Sequence, residues 1–111
     1  IEPAIEYIQS HFRKKITVNH IADTVHLSAR QLDRKFQETL KMSPQEFIMK
    51  LRLKTACSEL TSSMKPIMDI ALDLAFYDQS SFTLHFRKQM GMTPLQYRKL
   101  HQENSKTPSI Q

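Results

Sequence analysis

The sequence states one pattern twice. Ile21-Ala22, Leu27, Leu32, Phe36, Leu40, Met42-Ser43-Pro44 and Phe47 recur as Ile70-Ala71, Phe76, Phe82, Phe86, Met90, Met92-Thr93-Pro94 and Tyr97. The offset is 49 residues from Ile21 to Ile70 and from Leu27 to Phe76, and 50 from Leu32 to Phe82 onward. One extra residue therefore enters the second copy at the turn before its second helix. Self-similarity at this period marks a duplicated supersecondary unit, so the chain must fold as two versions of one small device.

That device is helical. The chain has one glycine and almost no alternating β-branched pattern, while apolar residues recur at spacings of three and four. The reading is all-α, with seven helices. The first runs from about Pro3 to Arg13, with Ile5, Ile8 and Phe12 on one side. Thr17 caps a short second helix carrying Ile21, Ala22 and Val25, which breaks at His26-Leu27. Ser28 opens the third helix, and with Gln31 forms a capping box in which hydroxyl and side-chain amide satisfy first-turn backbone groups reciprocally. Leu32, Phe36 and Leu40 then make one buried stripe.

Ser43-Pro44-Gln45-Glu46 places a cap, a proline at the first helical position and a glutamate three residues after the cap, which starts the longest helix, Pro44 to Leu60. Thr61-Ser62-Ser63 is a polar break, and Pro66 begins a fifth helix with Ile67, Ile70, Ala71 and Leu74. The sixth helix starts near Asp78 and ends at Gly91, suited to the left-handed position after a helix end. Thr93-Pro94-Leu95-Gln96 opens the last, to about His101. The expected organisation is a first helix-turn-helix subdomain over 1–50, a linker helix over 44–60, a second subdomain over 61–103 and a disordered tail over 104–111.

Two short helices and a longer one, with a tight turn before the longer, are the arrangement of helix-turn-helix DNA binding. A helical repeat that binds protein has the same outline. The residues that separate the two lie on the face the core does not use. At about 100° per residue, the face opposite Leu32 and Phe36 carries Arg30, Gln31, Arg34 and Lys41, flanked by Asp33. Arginine and glutamine can make bidentate contacts to guanine and adenine edges. The sixth helix, with Phe82, Phe86 and Met90 as its stripe, turns Ser80, Ser81, Leu84 and Lys88 outward, with Gln79 and Arg87 beside them. Leu84 stands where the first copy has Arg34. An outward leucine touches a thymine methyl, packs on a neighbour, or is tolerated surface.

Charge agrees with a polyanionic partner. Sixteen Lys and Arg against eleven Asp and Glu leave a formal net charge of +5. A single cysteine, Cys57, excludes an internal disulfide and a cysteine-based zinc cluster, and points to a reducing compartment, the cytoplasm. No apolar run approaches the roughly 20 residues that span a bilayer, so no membrane partner is expected. The chain opens at Ile1 rather than Met, as expected for a segment of a longer protein or for a processed chain.

The stretch from Ile70 to Lys99, IALDLAFYDQSSFTLHFRKQMGMTPLQYRK, resembles the signature of the AraC/XylS transcription regulators. The resemblance extends through Ile21-Ala22, Ser28, Leu32, Arg34, Phe36 and Ser43-Pro44, covering about Pro3 to His101. It implies a seven-helix, two-subdomain domain that binds double-stranded promoter DNA, with the third and sixth helices in successive major-groove segments. It further implies a bacterial regulator, an activator in the expected case, that contacts RNA polymerase and carries an effector or dimerisation domain elsewhere in the protein. Position by position, the family's base-contacting sites fall on Arg30, Asp33 and Arg34 in the first unit and on Gln79, Ser80, Ser81 and Leu84 in the second. Gln31 joins them from the face geometry alone. Ala75 departs from the family's usual glycine and Leu84 from its common arginine.

Phosphate contacts are expected from the basic residues flanking the reading helices, Lys35, Lys41, Arg87 and Lys88. Arg52, Lys54, Arg98 and Lys99 fit either a structural or a solvated role. Catalysis finds little support, and a small enzyme or effector-binding domain is a remote alternative: His11, His20, His26, His85 and His101 lack metal-ligand spacing, and no glycine loop could cradle a phosphate. No cofactor and no metal are expected. Cys57 reads as an inert buried thiol, and the six methionines as fillers of core gaps.

Overall fold

The computed structural model describes residues 1–106, with side chains described through Gln102. Seven helices follow in order: α1 (Glu2–His11), α2 (Val18–Thr24), α3 (Ala29–Leu40), α4 (Pro44–Ser62), α5 (Ile67–Asp73), α6 (Gln79–Met90) and α7 (Pro94–Lys106). The described residues contain no strand. The chain divides inside α4 into two compact units, Ile1–Arg52 and Leu53–Gln111.

In the first unit Ala4 and Ile8 of α1, Ile21 and Ala22 of α2, Leu32 and Phe36 of α3 and Ile48 of α4 are buried together. Phe36 meets Phe47 edge-on at 5.7 Å. Each fully buried Leu, Ile or Phe supplies roughly 1.5–3 kcal/mol, so α3 is held by its inner stripe and its outer face is free of packing duty. In the second unit the core comes from Leu53, Ala56 and Leu60 of α4, Ile70, Ala71, Leu74, Phe76, and Phe82 and Phe86 of α6. Its aromatic rings run in series, with centroid separations of 5.0 Å for Phe76–Phe82, 5.6 Å for Phe82–Phe86 and 5.5 Å for Phe86–Tyr97. Residues from Leu53 onward in α4 thus serve as the first helix of the second unit rather than as a spacer.

The turns repeat more closely than the helices do. The Leu27 amide donates to the Ala22 carbonyl at 2.9 Å, and the Phe76 amide to the Ala71 carbonyl at 3.0 Å. Before each stands a residue in the left-handed region, His26 at φ 61° and Ala75 at φ 67°. Lys41 (φ 59°) and Gly91 (φ 80°) end α3 and α6 in the same way. Three of these four left-handed positions therefore carry a side chain whose Cβ crowds the backbone.

Several sequence expectations need correction. Leu40 is only half-buried and Met90 is exposed, because the chain leaves the helix there and the inner stripe stops one turn early. Met64 and Met68 are exposed as well, so half of the methionines do not fill the core. Cys57 is half-buried; burial pushes its thiol up, while a hydrogen bond with Tyr97 pulls the other way. The polar Thr61-Ser62 continues α4, and Ser63 is the first residue out of the helix; its hydroxyl donates to the Glu59 carbonyl at 2.8 Å. Backbone helix continues to Lys106, past His101, and the rest of the expected tail, 107–111, lies outside the described residues.

Candidate nucleic-acid interface

The N-terminus of α3 is built by Ser28 and Gln31. The Ser28 hydroxyl accepts from the Gln31 amide at 3.0 Å, and the Gln31 side-chain carbonyl accepts from the Ser28 amide at 2.9 Å. This box holds the first turn rigid and sets the direction in which Arg30, Asp33 and Arg34, all exposed, leave the helix. It also corrects the expectation for Gln31. Its carbonyl oxygen is committed to the cap, so the two-point contact that would read adenine is open to it only if the box breaks.

Lys41 is corrected too. Helical periodicity placed it on the outer face of α3, but it is the residue that terminates α3, and its ammonium lies 3.4 Å from the Glu38 carbonyl. Lys35 remains on the exposed surface of α3. Around the first half of α3 the structure forms a shallow groove lined by Arg30 and Asp33 together with Thr17, Asn19, Ser43 and Gln45. Asn19 and Gln45 were missed from sequence. The available signal was their place in the first turns of α2 and α4, where side chains stand beside free amides.

On α6 the cap is Asp78, whose carboxylate accepts from the Ser81 amide at 2.7 Å. Ser81 cannot reach back as Gln31 does, so this end has one bond where α3 has two. Gln79, Ser80, Leu84, Arg87 and Lys88 are exposed, and Ser81 is half-buried against the cap. Gln79, Ser80, Thr83, Leu84 and Arg87 line one shallow depression. Thr83 was missed, although it lies one turn beyond Gln79 on the same side. Leu84 is 68% exposed and packs on nothing that hides it.

Among the described residues no group of three or more His, Cys, Asp or Glu is placed to hold a metal, and no helix is long and apolar enough to cross a membrane. Arg98 is the one buried charged residue among those described. It serves the fold, its Nε donating to the Leu60 carbonyl at 3.0 Å.

Two small units, each presenting an exposed polar helix on an aromatic and aliphatic base behind a tight turn, define a tandem helix-turn-helix domain, the architecture of DNA-binding transcription regulators. Residues 21–100 match the helix-turn-helix domain family of AraC type, and the chain belongs to that family. Its function is DNA binding in transcription regulation.

The melibiose operon regulatory protein of Escherichia coli K12 is 31% identical over 96% of this chain, which spans 35% of that relative's length. The regulatory protein SoxS of Salmonella typhimurium is 33% identical over 88% of this chain and 92% of its own. Among solved structures, the C-terminal domain of the response regulator AraT from Geobacillus stearothermophilus superposes with a TM-score of 0.86 at 32% identity, covering 89% of this chain and 83% of that one. The DNA-binding domain of AdpA, solved with a target DNA, reaches 0.88 at 22% identity and shares the fold, covering 94% of each chain. The family and fold are those of regulators rather than of enzymes.

Proposed function

We propose that each unit lays its own reading helix into a major-groove segment of promoter DNA, α3 through Arg30, Asp33 and Arg34 and α6 through Gln79, Ser80, Ser81 and Leu84. The observation that carries this reading is the exposure of Arg30 and Arg34 directly behind the fully buried Leu32 and Phe36. The core holds the helix while the arginines remain available to guanine edges. Gln31 contributes through its free amide group, after its carbonyl has served the cap. Lys35, Arg87 and Lys88 hold phosphates and so fix position without specifying sequence. Lys41 joins them from the turn.

The relatives are named as regulatory proteins, and we infer that the whole protein is a bacterial transcription activator acting in the cytoplasm, contacting RNA polymerase, with an effector or dimerisation domain joined to this one. Selection of bound sites from random DNA, followed by titration of the best site at several salt concentrations, tests the assignment. Two conserved half-sites and a log–log salt slope of about 0.9 per phosphate contact are expected. One half-site alone would remove α6 from base reading, and no salt dependence would overturn the reading.

A further inference from the structure

The extra residue of the second unit can be located by its hydrogen bonds. The turns match up to the paired bonds Leu27–Ala22 and Phe76–Ala71. After them the first unit has Leu27 and then its cap, Ser28, whereas the second has Phe76, Tyr77 and then its cap, Asp78. The inserted residue is Tyr77.

The fold makes no use of it. Phe76 is buried against Phe82 and approaches His85, so the apolar contact that locks the start of α6 is complete without Tyr77. Tyr77 is 83% exposed, and it has neither a hydrogen bond nor a ring partner among the described residues. A large amphipathic ring left in water contributes little to stability, and such rings are favoured where one end meets a partner.

Its surroundings say what the partner end would meet. Asp78 is fully extended, at φ −160° and ψ −179°, the non-helical backbone of a helix cap. The carboxylate accepts from the Ser81 amide and is committed to the helix end, while the Tyr77 ring beside it stands in solvent. The first unit caps the same helix end with the neutral Ser28. A carboxylate at that end opposes an approaching phosphate and offsets the attraction of the α6 amides. A phosphate beside α6 therefore needs a donor outside the cap, and a phenol is a neutral donor with a long rigid reach.

We propose that Tyr77 contacts the DNA backbone: its hydroxyl donates to a phosphate oxygen at the N-terminal end of α6 and sets the depth at which that helix sits. The proposal rests on the reading of α6 as a groove-binding helix. Tyr77 is a positioning residue and reads no base.

Tyr77→Phe removes only the hydroxyl. On a site selected with the wild-type chain it is expected to lose about tenfold in affinity, the scale of a hydrogen bond to a charged oxygen. Its salt slope should be unchanged, since no cation is lost, and so should its melting temperature. Single methylphosphonate replacements along both strands provide the second arm. One of them should weaken the wild type by a similar factor and leave Tyr77→Phe unaffected. Equal affinity of Tyr77→Phe and wild type, or the same sensitivity of both to every methylphosphonate, overturns the proposal. Wild-type binding that ignores every change in the half-site under α6 overturns the reading of α6 itself, and with it the proposal.

Discussion

Arg52 and Arg98 perform the same task in their two units from positions one helical turn out of step. Arg52 donates through Nε to the Phe12 carbonyl at 2.8 Å and through Nη2 to the Lys14 carbonyl at 2.9 Å, closing the end of α1. Arg98 donates through Nε to the Leu60 carbonyl at 3.0 Å and through Nη2 to the Ser63 carbonyl at 3.3 Å, closing the end of α4. Under the 50-residue offset the counterpart of Arg98 is Ile48, four residues before Arg52. The device was kept while its position moved.

Arg98→Ala should therefore destabilise the second unit by roughly 2–4 kcal/mol, since two carbonyls lose a charged donor in a buried place. Arg52, half-buried and with its guanidinium held below its ordinary range by that burial, should cost less, about 1–2 kcal/mol. Lysine at position 98 should not rescue, because one ammonium cannot span both carbonyls. Urea denaturation gives the comparison, and equal losses at both sites would show that burial does not set the difference.

The left-handed residues make an opposite prediction. Ala75→Gly and His26→Gly should each stabilise by about 0.5–1 kcal/mol, the relief of Cβ crowding exceeding the entropy glycine adds to the unfolded chain. Gly91→Ala should cost about 1 kcal/mol. A Cβ at Gly91 would meet no atom within 4 Å, so the cost is conformational alone. Thermal melts of the three variants check the signs.

The starts of α4 and α7 are matched capping boxes with one chemical difference. Glu46 accepts from the Ser43 amide at 2.8 Å where Gln96 accepts from the Thr93 amide at 2.9 Å. That backbone bond, aided by the Ser43 hydroxyl, holds the Glu46 carboxyl below its usual range. A carboxylate depressed in the folded state stabilises above its unfolded pKa and loses that contribution as pH falls through the folded value. Glu46→Gln should accordingly flatten the acid limb of the stability profile while preserving the cap, as Gln96 does. Urea midpoints between the ordinary carboxylate range and lower pH should converge for the two proteins; parallel curves would refute the assignment.

For DNA, Arg34→Ala should lose about 1–3 kcal/mol on the selected site and relax preference at one or two base pairs. Leu84→Ala should lose less. If Leu84 lies on a thymine, replacing that thymine by deoxyuridine should weaken the wild type by about 0.8 kcal/mol, the scale of one buried carbon, and leave Leu84→Ala unchanged. Lys88→Ala should weaken all sequences alike and lower the salt slope by about 0.9. Competition titrations at two salt concentrations separate these outcomes.

Seven helices, both buried stripes around Leu32–Phe36 and Phe82–Phe86, the caps at Thr17, Ser28, Ser43 and Thr93, and a helix start near Asp78 were legible in the sequence. Each depends on residues within a turn or two of one another: period sets the buried side, and a hydroxyl or carboxylate beside free amides starts the helix. The outward placement of Arg30, Arg34 and Leu84 follows from the same local rule. Tertiary structure decided what locality cannot. Lys41 left the helix face because α3 closes in a left-handed turn, and Gln31 gave its carbonyl to the cap. Arg98 became buried because carbonyls 35 and 38 residues earlier come within reach. The extra residue showed in the sequence only as a shift from 49 to 50. Which residue it is follows from the bond of the Phe76 amide to the Ala71 carbonyl and the cap at Asp78, and that the core has no place for it follows from the burial of Phe76 on Phe82.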